Sequence, residues 1–190
     1  MIIHWVSMER KKIMVCFLPA NSDLLAKSWL NTAAARMAPS SDRDVPYVHA
    51  ELFFPKYEHA DSLGGKSCGI HYGGKVFTAD KLFSRKDWNF RSYSCTPNQY
   101  NKVQEFCKAQ TGGKFNYFGY YAPCSLSQPA PSLKQRSWYC SELVNSALVY
   151  AGITENNPVA YSHPDALFEH VAPETYADCG RNINFKDFEI

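Results

Sequence analysis

Trp138 to Ile153 reads WYCSELVNSALVYAGI, one cysteine set between two aromatic residues and an apolar repeat. Leu143, Val144, Ala147, Leu148 and Ala151 recur at three- and four-residue spacing, which predicts a helix from Tyr139 to about Tyr150 that stops before Gly152. Cys140 lies three and four residues ahead of the first two of these, on the inward face of the first turn. The backbone N–H groups of a first turn have no helical partners, and the helix dipole is positive there, so both favour a thiolate. The same N–H groups can hold the oxyanion of a tetrahedral intermediate. A free cysteine on an inner stripe is, taken alone, more often a small packed hydrophobe. The cysteine therefore needs a partner before it carries chemistry.

A partner stands in Val45 to Phe54, VPYVHAELFF, a stretch of β-branched and aromatic residues that predicts a strand. Alternation puts Val48, Ala50, Leu52 and Phe54 on one apolar face and Tyr47, His49, Glu51 and Phe53 on the other. His49 is the best placed base of the six histidines, because a strand holds it rigidly. Glu51 shares its face at a Cβ separation of about 6–7 Å, within reach of a long side chain. Taken alone, a strand histidine is often just a hydrogen-bonded structural residue, and Glu51 can be exposed or half of an ion pair.

The surrounding chain frames these segments. KKIMVCFLP predicts a short buried strand ended by Pro19, and Asn21 or Ser22 can cap a helix through SDLLAKSWLNTAAARM. SCGIHYGGKVFTA predicts a hairpin around Gly73-Gly74, and strand-like aromatics continue to Cys95. Thr96 as N-cap, Pro97 at the first helical position and Gly112-Gly113 at the stop bound a second helix, with Val103, Phe106, Cys107 and Gln110 inward. Lys114 to Arg136 reads as a long surface loop. SHPDALFEHVAP predicts a last short helix with Pro164 at its first position.

Composition narrows the class. At 190 residues and 45% hydrophobic, the chain fits one domain with one sizeable core. Its net charge of +2 is spread along the chain, which argues against nucleic acid or an anionic membrane as partner. No apolar run reaches the ~18 residues of a spanning helix, so no integral membrane segment is expected. The Glu9-Arg10-Lys11-Lys12 cluster falls between two apolar runs, the wrong order for a secretory signal. Seven widely spaced cysteines without C-x-x-C or zinc-finger spacing point to reduced thiols, and with the absent signal to a cytoplasmic protein.

The combination of YVHAELFF, a β-rich middle, a capped helix, a loop, WYCSELVNSALVYAGI and SHPDALFEHV resembles the circularly permuted, YiiX-like members of the NlpC/P60 superfamily. In that papain-like group the histidine strand precedes the cysteine helix, and an aromatic-Cys-Ser-Glu-Leu-Val start and a later Pro-x-x-Leu/Phe helix recur. The resemblance covers about His49 to Val171. It implies an α+β papain-like core over residues 45–172, with residues 1–44 as an N-terminal extension and 173–190 as a tail. It also implies Cys140 as nucleophile and His49 as base, acting without a metal or organic cofactor on a peptide, isopeptide or acyl-lipid substrate. Glu51 is preferred as the third member, with His71 as the alternative because many relatives place their orienting residue in its region. Trp138, Tyr139 and Tyr47 are expected to shape the cleft.

Four functions compete at this stage. They are a cysteine peptidase or amidase, an acyltransferase or thioesterase passing an acyl group through a Cys140 thioester, an inactive binding module of the same fold, and a zinc enzyme built from His49, His71 and Cys140.

Overall fold

Along Lys11–Pro19 (β1), Ile13, Val15 and Phe17 pack with the helices, while Met14, Cys16 and Leu18 join a second apolar cluster on the opposite face. A strand apolar on both sides belongs inside a sheet covered on both faces. The computed structural model describes residues 10–26, 44–121 and 132–171. Within them β1 is followed by a short helix α1 (Asp23–Ala26), then β2 (Tyr47–Glu58), β3 (Ser62–Gly69), β4 (Phe77–Ser84) and β5 (Asn89–Cys95). The five strands form one sheet in the order β4-β3-β2-β1-β5, every neighbouring pair antiparallel. The remaining elements are α2 (Pro97–Gln110), β6 (Lys114–Phe115), α3 (Tyr117–Tyr121), β7 (Ser137–Trp138), α4 (Cys140–Tyr150), α5 (Val159–Ser162) and α6 (Pro164–His170). The fold is mixed α+β with an antiparallel sheet, as the sequence predicts.

Three expectations change. Residues 1–44 read as an extension of the core, yet β1 lies inside the sheet between β2 and β5, with Ile13, Val15, Cys16 and Phe17 fully buried. The reading of Lys114 to Arg136 as a long surface loop gives way, among its described residues, to β6 and the aromatic turn α3. The strict alternation of β2 fails at its start. The β1–β2 register shifts between Leu18, which faces His49, and Pro19, which faces Tyr47, so Val48 is left over as in a β-bulge. Tyr47 consequently joins the helix-side core and Val48 packs against the opposite cluster. The predicted helix beginning at Ser22 is present from Asp23 to Ala26, and its continuation through residue 37 lies outside the described residues, as does the tail at 173–190.

Helix α4 lies on the sheet over β2 and β3, against α2, α5 and α6. Its Leu143, Val144, Ala147 and Leu148 are fully buried, each contributing about 1.5–3 kcal/mol for the bulky side chains. The approach to α4 is fixed by a two-stranded parallel ladder in which Lys114 and Phe115 of β6 pair with Ser137 and Trp138 of β7. That ladder ties the end of α2 to the residue pair immediately before Tyr139. Helix α2 keeps its expected cap: the Thr96 hydroxyl accepts from the Gln99 N–H at 3.2 Å, and the Gln99 side chain accepts from the Thr96 N–H at 3.0 Å. No helix among the described residues is long and apolar enough to cross a membrane.

Candidate active site

Cys140 is the first residue of α4, with Tyr139 in extended backbone as the N-cap. Glu142 braces this start. Its carboxylate accepts from the Tyr139 N–H at 3.2 Å, from the Asn116 amide at 3.3 Å and from the Gln135 amide at 2.9 Å. Burial raises the proton affinity of Glu142, and these three bonds act against it. The Ser141 hydroxyl donates to the Tyr161 carbonyl at 3.0 Å, which ties the same turn to α5. The turn that carries the cysteine is therefore held by groups on three other segments.

His49 on β2 and Cys140 at the start of α4 line the same pocket. The His49 Nε2 lies 3.0 Å from Glu51 Oε1, which leaves Nδ1 for a second partner. The His49 side chain is only 13% exposed. Burial lowers its proton affinity, but the hydrogen bonds and charges of Cys140 and Glu51 outweigh burial and raise its pKa to about 9. The bonding that the strand alternation predicts for His49 and Glu51 is present. The bulge at Val48 precedes both residues and leaves their shared face intact.

Glu51 is the centre of a larger network than the sequence indicates. Lys81 of β4 donates to both of its oxygens, at 2.7 Å and 2.8 Å, and the Ser67 hydroxyl donates to Oε2 at 2.5 Å. His71 Nε2 stands 3.6 Å from Oε1. Burial alone would raise the Glu51 pKa, whereas its bond to His49, the neighbouring His71 and the Lys81 charge hold it well below the usual carboxylate range. Gly69 leaves the space: a Cβ there would come within 2.8 Å of Glu51 Cγ. Neither Lys81 nor Ser67 was indicated by sequence. Ser67 sits on β3, which pairs with β2, and Lys81 on β4, which pairs with β3, a signal usable only once the pairing is known.

His71 belongs to the turn between β3 and β4, beside Gly73 at φ 71°, and is not on a strand as predicted. Its ring centroid lies 5.3 Å from that of His49. Both candidate third residues are thus near the base, and Glu51 is the one bonded to its Nε2.

The cleft has other walls than expected. Trp138, Tyr139 and Tyr47 are 0%, 1% and 8% exposed and belong to the core. The Trp138 indole donates to Gln110 Oε1 at 3.2 Å, and Tyr47 packs its ring on Phe17 and Phe168. The pocket beside Cys140 is instead walled on one side by Leu18, Leu24, Leu25, Val48 and Trp88, and on the other by Ile70, Tyr72, Phe115 and Tyr120. Tyr117 and Tyr121 of α3, 50% and 52% exposed, adjoin the second wall through ring contacts with Tyr72 and Tyr120 respectively.

His49, Glu51 and His71 bring three donor atoms within 4.8 Å of one another, a spacing open to a metal ion. The Lys81 ammonium already bonds both carboxylate oxygens, so an internal cation fills that role, and the donor set fits a charge network better than a metal centre. The described cysteines Cys16, Cys68, Cys95, Cys107 and Cys140 are all buried free thiols.

Comparison with known proteins adds no relative: no family model, no curated protein and no solved structure matches the chain.

Proposed function

We propose that the chain is a papain-like thiol hydrolase, a cysteine peptidase or amidase of the circularly permuted NlpC/P60 kind, with Cys140 as nucleophile, His49 as acid and base, and Glu51 as the residue that orients His49. The observation that carries this reading is that a cysteine at the start of α4 and an imidazole whose Nε2 is held by Glu51 line one pocket. A merely packed cysteine has no need of a charged, oriented imidazole.

The geometry supports a two-stage acyl transfer. With His49 protonated, the Cys140 thiolate attacks the substrate carbonyl carbon and the carbonyl π pair moves to oxygen. The N–H groups of the first turn of α4 are placed to receive that oxyanion. As the tetrahedral centre collapses, the bond to the leaving nitrogen breaks and His49 supplies the proton it needs, leaving a Cys140 thioester and neutral imidazole. Water then gives a proton to His49 and attacks the thioester, which releases the carboxylic acid and regenerates the thiolate. Glu51 stabilises the imidazolium in the first stage and keeps the ring in place through the second, without itself taking the proton.

The pocket walls favour a second reading of the acceptor and substrate. Leu18, Leu24, Leu25 and Val48 beside the nucleophile suit a hydrophobic acyl portion, so transfer or hydrolysis of a fatty-acyl group through the same thioester is the alternative. Incubation with phospholipid followed by intact-mass measurement separates the two, because only lipid chemistry leaves a fatty-acyl adduct. The nucleophile itself is tested by Cys140→Ala, which is expected to melt like the wild type and to lose labelling by a vinyl-sulfone probe. Undiminished labelling of that variant contradicts the proposal.

A further inference from the structure

Beyond the catalytic pair, the most constrained group at the site is the Lys81 ammonium. It bonds both oxygens of a carboxylate that is itself only 1% exposed, and lies 4.4 Å from the Phe77 ring centroid and 5.8 Å from that of Phe83. Two carboxylate bonds and two aromatic faces fix this lysine far more tightly than a surface ion pair.

We infer that Lys81 is a positioning residue for catalysis: it keeps the Glu51 carboxylate ionised and aimed at His49, and its charge limits how tightly His49 holds its proton. This rests on the reading of Cys140 as nucleophile and extends the site by a residue that need not touch substrate. The groups facing Glu51 are Cys16 from β1, His49 on β2 itself, Ser67 from β3, His71 from the β3–β4 turn and Lys81 from β4, while Cys140 faces His49 from α4. Among these described groups, Lys81 is the one permanent cation. The Lys81 and His49 bonds to the same Oε1, 2.7 Å and 3.0 Å long, keep ammonium and imidazole within about 6 Å.

The consequence concerns proton transfer. A carboxylate bonded to an imidazolium raises its pKa, and a general acid works best with a pKa near the working pH. Lys81 offsets part of that field. Removing its charge is therefore expected to raise the pKa of His49, even though the same change makes Glu51 harder to ionise.

The test is an NMR titration of the His49 ring in the full chain, alongside the pH profile of turnover. Lys81→Met is expected to move the His49 midpoint and the alkaline limb upward by about one pH unit, the size of a unit charge near 6 Å at a partly screened site. Lys81→Arg restores the charge and is expected to return both to within a few tenths of the wild type. Lys81→Gln keeps a donor to Glu51 without the charge and repeats the measurement if the methionine variant does not fold. A purely structural lysine would lower the melting temperature and leave the midpoint where it was. Unmoved midpoints in the uncharged variants, or an arginine variant that behaves like the methionine one, overturn the inference. Vinyl-sulfone labelling of Cys140, measured on the same samples, reports the nucleophile reading separately.

Discussion

Cys107 and Cys140 both lie on the inner stripe of a helix, and both are nearly closed to solvent, at 2% and 5% exposure. Their surroundings differ in kind. Cys107 sits in the third turn of α2, where its N–H is already committed to the helix, and its thiol meets Cys68; that hydrogen bond and burial push its pKa well above the ordinary thiol value. Cys140 opens α4, where backbone N–H groups are still unclaimed, and meets His49. Burial does not distinguish a structural thiol from a reactive one. On the proposed reading, position along the helix and the identity of the neighbour do.

Substitutions probe this difference between the two thiols. The largest effect is expected for His49→Ala, which removes the acid and base together: turnover falls about a thousandfold, while Cys107→Ala leaves it within twofold. Steady-state rates on the same ester or amide substrate check both. Glu51→Gln comes next, with a drop of about ten- to a hundredfold in turnover and about 2–4 kcal/mol of stability. It leaves the Lys81 ammonium, which is only 27% exposed, without a counter-charge. Denaturant melts beside the rate measurement separate the two parts. Gly69→Ala pushes a methyl to 2.8 Å from Glu51 Cγ and is expected to reduce turnover in the same direction but less than Glu51→Gln, with Cys107 chemistry untouched.

A smaller, graded effect comes from pH. His49 has a folded pKa of about 9 against roughly 6.5 in an unfolded chain, so its contribution to stability is complete below about 6.5 and is lost as pH rises through about 9. Glu51 is shifted the opposite way; its contribution is present above about 4.3 and fades as pH falls toward its depressed folded value. Melts from pH 3 to 10 are therefore expected to show a stability plateau between these limits, and Cys107→Ala is expected to lower that plateau by about 1–2 kcal/mol without changing its edges.

How far the sequence announces this arrangement depends on the range over which each signal acts. The caps at Thr96-Pro97 and the stripe of α4 are local and legible, because propensity and helical period involve residues a few positions apart. His49 and Glu51 are legible for the same reason, two residues apart on one strand. Lys81 and Ser67 are not, since they reach Glu51 only through the pairing of β3 with β2 and β4. The cleft walls mislead in a related way. Trp138 and Tyr139 neighbour Cys140 along the chain, but successive residues entering a helix point in different directions, and both turn into the core. Leu18 and Trp88, far from Cys140 in sequence, come to the pocket through the sheet. The Val48 bulge has no local signature in VPYVHAELFF, and it exchanges the faces of the two residues at the strand's start.

The relative reactivity of Cys140 and Cys107 decides whether Cys140 is an activated nucleophile. Folded protein exposed to limiting iodoacetamide at neutral pH, with the modified residues mapped by mass spectrometry, is expected to carry adduct on Cys140 at least tenfold faster than on Cys107. The advantage should collapse in His49→Ala. Equal labelling of the two, or a Cys140 preference that survives without the histidine, contradicts the account.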